Sequence, residues 1–127
     1  MEYSIQHAGG NLIIATASGD WDQVTDKTML LEIMKAVDAS NSRRVLLDVR
    51  QLHFDLATLQ IFERAVELRQ QRGEFGRTST KAALVYPSTG KKMDEDMAFF
   101  ETAARNRGLP YRTFKDMEQA RAWLMED

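Results

Sequence analysis

Tyr3, Ile5 and His7 alternate with polar neighbours, Gly9-Gly10 interrupts, and Leu12 to Ala17 resumes an extended pattern. A period of two places alternate side chains on opposite faces of a strand, and a diglycine tolerates positive φ at both turn positions. The opening therefore predicts a hairpin of two antiparallel strands, the second ending at Gly19-Asp20. From Thr25 the period changes: Leu30, Ile33, Met34 and Val37 sit at helical spacing, and Thr25 or Asp26 is placed to cap the start. Ser40-Asn41-Ser42 is the turn that stops this helix.

Val45 to Val49 is a short, almost wholly apolar run, as expected of a strand covered on both faces. After Asp55, the residues Leu56, Leu59, Phe62, Ala65 or Val66, and Leu68 or the stem of Arg69 trace a second amphipathic helix ending near Gly73. Residues 72–80 read as a polar loop with one apolar residue, Phe75. Ala82 to Tyr86 is another buried strand, closed by Pro87, which cannot continue a ladder. Met93, Met97, Phe100 and Ala104 mark a third helix with Gly108 as its left-handed stop. Tyr111 to Phe114 is a short strand, and Asp116 caps a last helix with Met117, Ala120 and Leu124 inward and Trp123 in the core.

The predicted order is β-β-α-β-α-β-α-β-α. Strands separated by helices need right-handed crossovers, so the last three lie parallel in one sheet. The hairpin adds antiparallel strands, giving an α/β fold with a mixed sheet of about five strands and four helices. No linker, repeat or low-complexity segment divides residues 1–127, which read as a single domain.

Composition narrows the classes. With 43% hydrophobic and 28% charged residues the chain has apolar matter for a core and charge to stay dissolved. It has no cysteine, so disulfides and thiolate metal sites are excluded. Residues Met1 to Ile5 lack the basic and apolar regions of a signal peptide, and the apolar runs are far short of a membrane span. These features point to a cytoplasmic protein. Seventeen basic residues against nineteen acidic give a formal charge of −2, which opposes the basic footprint that nucleic acid requires.

Chemistry-bearing constellations are few. His7 and His53 have no partner at helical spacing, so no metal site is expected. Asp94, Glu95 and Asp96 fall in the first turn of a predicted helix, where carboxylates meet the positive end of the dipole. No serine is flanked as in a nucleophile elbow. Ser88-Thr89-Gly90-Lys91-Lys92 is the most suggestive stretch: it follows a strand and precedes a helix, so backbone N–H groups and ammonium groups converge there. It is not a Walker loop, because Val85 stands at the upstream glycine position and Lys92 replaces the hydroxyl residue. Ligands of open α/β sheets sit beyond the carboxyl ends of the strands. That crevice would collect Asp48, Arg50, Tyr86, Ser88, Thr89, Gly90 and Lys91 as a candidate small-ligand site.

The hairpin opening, the strand from Val45 to Arg50, the strand from Lys81 to Tyr86 and the closing F-x-D-x-x-x-A-x-x-W-L segment from Phe114 to Leu124 together resemble STAS-type domains. More narrowly, they are similar to bacterial proteins of the anti-sigma-factor antagonist type, a group sometimes placed with lipid-binding CRAL-TRIO folds. The resemblance spans nearly the whole chain. It implies a phosphorylatable serine in a D-S-S-G-like turn after a strand, and the matching stretch here is Phe54-Asp55-Leu56-Ala57-Thr58-Leu59. The aspartate is present, but the serine positions hold Leu56 and Ala57. Thr58, the one hydroxyl residue of the stretch, stands at the glycine position, out of register for a phospho-switch.

The expected function is that of a non-enzymatic regulatory module acting on a protein partner or as a homodimer, without a cofactor. The alternative is a carrier of a small molecule or lipid, with a pocket between sheet and helices lined by the methionine-rich helical faces.

Overall fold

The structure, a computed structural model, describes residues 1–9, 11–54, 64 and 80–126. Five strands form one sheet in the order β1-β2-β3-β4-β5: Glu2–Ala8, Leu12–Asp20, Arg44–His53, Lys81–Val85 and Tyr111–Phe114. Among the described residues there are three helices, α1 (Gln23–Ser40), α2 (Lys91–Arg105) and α3 (Met117–Met125). The helix expected after Asp55 and ending near Gly73 lies outside the described residues except at Arg64, which is helical.

The sheet is mixed, as expected, but only β1 runs antiparallel to its neighbour. β2 is already parallel to β3, so four of the five strands share one direction. In the hairpin Ala8 pairs with Leu12, and Asn11 takes a positive φ of 60°. Asparagine tolerates that conformation because its short side chain bonds locally.

Two apolar layers cover the sheet. Val45, Leu47, Ala82, Leu84 and Tyr86 turn toward α1 and α2, meeting Met29, Ile33, Val37, Met97 and Phe100. Leu46, Ala83 and Val85 turn the other way, toward Ala120 and Leu124 of α3. Strict alternation along β3 and β4 thus feeds both layers, which is why these strands are apolar at nearly every position. Met29, Met34 and Met97 are buried, and Met93 packs half-buried beside them.

Several local features differ from expectation. The α1 cap is Asp22, whose carboxylate accepts from the Thr25 backbone N–H at 3.3 Å. Asp26, one of the two expected caps, is instead 6% exposed and ion-paired with Arg64. Helix α3 begins as expected at Asp116, which accepts from the Glu118 N–H at 2.9 Å. Its last turn carries no basic residue, and β3 and β4 supply the cations. Arg44 Nε donates to the Leu124 carbonyl at 2.7 Å, and Lys81 Nζ donates to those of Trp123 at 2.9 Å and Glu126 at 3.1 Å. Cations there satisfy orphan carbonyls and oppose the negative end of the helix dipole. Trp123 is half-buried rather than core, because its ring lies under this cluster, with Lys81 Nζ 4.6 Å from its centroid.

Candidate functional site

β3 outruns β4 and carries the first part of the site. The expected strand stops at Val49, whereas the ladder with β2 continues to His53. Thr16 pairs with Asp48 but Ser18 pairs with Gln51, so β3 holds one extra residue there. Such a bulge reverses which face later residues meet. Val49 and, after the bulge, Leu52 both enter the α1/α2 layer.

Asp48 and Arg50 stand at this irregularity. Arg50 Nε donates to Asp48 Oδ1 at 3.0 Å, its Nη2 donates to Oδ2 at 2.9 Å, and its backbone N–H donates to Oδ1 at 3.1 Å. Burial of Asp48 pushes its carboxyl up. The hydrogen bonds and charge of Arg50 outweigh that and hold it below the ordinary 3.8. A carboxyl depressed on folding stabilises the fold above its ordinary value and loses that contribution as pH falls below it. Asp48→Asn should therefore flatten the acid limb of stability against pH below 3.8. Urea unfolding followed across that limb checks this, and an unchanged slope would refute it.

The second part lies where β4 ends. Tyr86 follows β4 and points into the α1/α2 layer, where its hydroxyl donates to Asp94 Oδ1 at 3.3 Å. Burial, then the charge and hydrogen bond of Asp94 and the charge of Glu101, raise the phenol above its ordinary 10.0, so Tyr86 is a hydrogen-bond donor and not a base at neutral pH. Asp94 also meets Lys115 Nζ at 3.4 Å. Gly90, with φ 138°, makes the N-cap of α2, and no side chain caps that end. Lys91 and Lys92 begin the helix and pair one turn on with Glu95 at 3.9 Å and Asp96 at 2.9 Å.

Of the seven residues named from sequence, the structure gathers Thr89, Gly90 and Lys91 around one open cleft of about 380 Å³. Phe54, Lys92, Met93 and Asp96 complete it. Ser88 lies in the same loop but outside the lining. Asp48 and Tyr86 are not brought together. Alternation from Leu46 turns Asp48 toward the α3 side, and alternation from Leu84 turns Tyr86 toward the α2 side. Sequence reasoning missed Phe54, Met93 and Asp96. Asp96 was within reach as the partner of Lys92 one turn earlier. Phe54 was not, because only the length of β3 brings it beside the start of α2. Thr58 lies outside the described residues.

A second space lies between the sheet and α1/α2. Among the described residues it is lined by Trp21, Val49, Leu52, Phe54, Leu84 and Met97, with the Asp26–Arg64 pair at its wall, and measures about 30 Å³. Trp21 Nε1 is buried and has no hydrogen-bond partner among the described residues. No group of three or more His, Cys, Asp or Glu placed to hold a metal occurs among the described residues. None of the described helices is long and apolar enough to cross a membrane.

No model of a known protein family matches the chain, and no curated protein sequence matches it. Solved structures do match. An anti-sigma factor antagonist from Mycobacterium paratuberculosis superposes with a TM-score of 0.63 at 13% identity, over 98% of this chain and 96% of that one. The anti-sigma factor antagonist SpoIIAA in its unphosphorylated form superposes with a TM-score of 0.57 at 13% identity, over 99% of this chain and 100% of that one. The superpositions run over nearly the whole of each chain, and this chain has the fold of the anti-sigma factor antagonists, that of a STAS-like domain.

Proposed function

We propose that the chain is a non-enzymatic regulatory module of the bacterial cytoplasm that acts by binding a protein partner. The observation that carries this reading is the end-to-end superposition on proteins that antagonise anti-sigma factors. The docking surface is the region where β4 finishes beside Asp48 of β3, with Arg50, Ser88, Thr89 and Lys91 at its rim and Asp48 fixing the Arg50 guanidinium. Arg50 is held by two parallel N–H···O bonds, so its position costs little entropy on binding. Tyr86 and Asp94 brace the start of α2 from below.

The test is capture of a partner from extract of the source cells by wild type and by Arg50→Glu/Lys91→Glu. Reversing two rim charges that face a complementary surface should weaken retention at least about tenfold. Equal retention by both proteins would remove this surface from the interface, and no reproducible partner would refute the reading.

A second reading, a carrier of a small ligand, is favoured by Trp21 Nε1, which is buried without a hydrogen-bond partner among the described residues, in the apolar space beside Asp26 and Arg64. That space is about 30 Å³, whereas ligand pockets span roughly 300–1,000 Å³. A carrier would have to open its α1/α2 layer. Native mass spectrometry showing a co-purifying small molecule would favour it, and a bare chain mass would reject it.

A further inference from the structure

The two edges of the sheet differ in a way that bears on what the protein binds. β5 is four residues long, follows Pro110, carries Arg112 and runs into Lys115. Short length, proline and cations are the devices that keep an edge from pairing with another chain. β1 has none of them. It is seven residues long, Glu-Tyr-Ser-Ile-Gln-His-Ala, with a single charge at its first position, and among the described residues nothing pairs with its outer side. Half of its backbone N–H and C=O groups point away from β2, and no described residue pairs with them.

We infer that β1 is the dimer contact of this protein, pairing antiparallel with β1 of a second copy about a two-fold axis at Ile5. The inference rests on the reading of the chain as a protein-binding module and names one partner of it. Centring on Ile5 is the arrangement that overlaps all seven residues. It sets Ile5 opposite Ile5, Tyr3 opposite His7, Ser4 opposite Gln6 and Glu2 opposite Ala8, and no like charges meet. Directly opposed residues share a face of the sheet, so both copies keep α1 on the same side. Tyr3 and Ile5 already pack half-buried against the α1 layer, and Tyr3 is fixed to α1 by its hydroxyl, which donates to Glu32 Oε2 at 2.6 Å. The second copy covers the flank of Ile5 that the monomer leaves open. Ser4 and Gln6, on the other face, are exposed and touch neither core layer.

That register gives a decisive test by light scattering. Wild type should scatter at twice the 14.5 kDa chain mass. Ser4→Lys/Gln6→Lys places lysines directly opposite one another twice and should run at the single-chain mass. Ser4→Lys/Gln6→Glu places opposite charges there and should restore the dimer. Far-ultraviolet circular dichroism establishes that each variant is folded. Amide exchange of wild-type β1, protected more strongly as concentration rises, gives the same readout without substitution. A single-chain mass for wild type, a dimer that survives the two lysines, or a lysine–glutamate variant that stays monomeric would overturn the inference. A monomeric wild type would leave the partner-capture result above to be judged independently.

Discussion

Asp26→Ala should lower the unfolding free energy by about 3–5 kcal/mol, the usual effect of removing one member of a buried ion pair. Asp26 is 6% exposed on the inner face of α1, and its carboxylate accepts from Arg64 Nη1. Removing it takes a carboxylate from a guanidinium that lines one apolar space with Val49, Leu84 and Phe100. Against a typical total of about 5–15 kcal/mol, such a loss is a large share of the stability. The melting temperature should fall on the order of 15 °C. The double change Asp26→Leu/Arg64→Met separates charge from shape, because an apolar pair of similar volume is often neutral or stabilising. If the double variant is as unstable as Asp26→Ala, the pair matters through its geometry and not through the penalty of one buried charge. If Asp26→Ala costs under about 1 kcal/mol in urea unfolding, the site is wet and the ion pair is a surface one.

Phe100→Ala should cost a further large amount, about 3–5 kcal/mol for a fully buried phenyl ring. Phe100 is 2% exposed on the inward face of α2 and meets Tyr111 of β5 edge-to-face, with centroids 5.1 Å apart. Arg64 lies over the same ring at 5.9 Å, so deletion also removes a cation–π contact. The substitution would enlarge the space beside Trp21 and Met97 that already measures about 30 Å³. That enlargement gives a second readout. A small aromatic compound should raise the melting temperature of Phe100→Ala and leave wild type unchanged, since an apolar cavity stays dry and accepts such a guest. A cost below about 1.5 kcal/mol would mean that α2 closes down on the sheet and that the layer is less rigid than its packing indicates.

These two residues also show why α1 and α2 could be read from the sequence while their contents could not. Phe100 belongs to a run of apolar positions at helical spacing, and its burial follows from that period. Asp26 carries no such signal. Near a helix start a carboxylate reads as a cap, and nothing in the local sequence announces a partner thirty-eight positions away. Asp22 took the capping role because the chain leaves the strand in an extended conformation at that residue, with φ −134° and ψ 124°.

The candidate site divides in the same way. Thr89, Gly90 and Lys91 are contiguous and belong to one strand-to-helix turn, so their meeting was legible. Asp48 stands on β3 and Tyr86 directly after β4, and the face each one meets depends on strand register. A single extra residue in β3 also decides where Arg50, Leu52 and Phe54 go. No pattern of residue types marks a bulge that is set by pairing with β2.

By itself the sequence determined the strands, the helices read outside residues 55–79, their order and the two-sided burial of β3 and β4, because alternation and helical periodicity are local consequences of where apolar side chains must go. Tertiary structure alone decided that β2 is parallel to β3, that Asp26 is buried against Arg64, that Arg44 and Lys81 close the end of α3, and that Phe54 joins the cleft. Each of those depends on backbone segments distant in the chain coming into register. Such contacts are fixed by the packing of the whole sheet, and the residues that make them look unremarked in a linear reading.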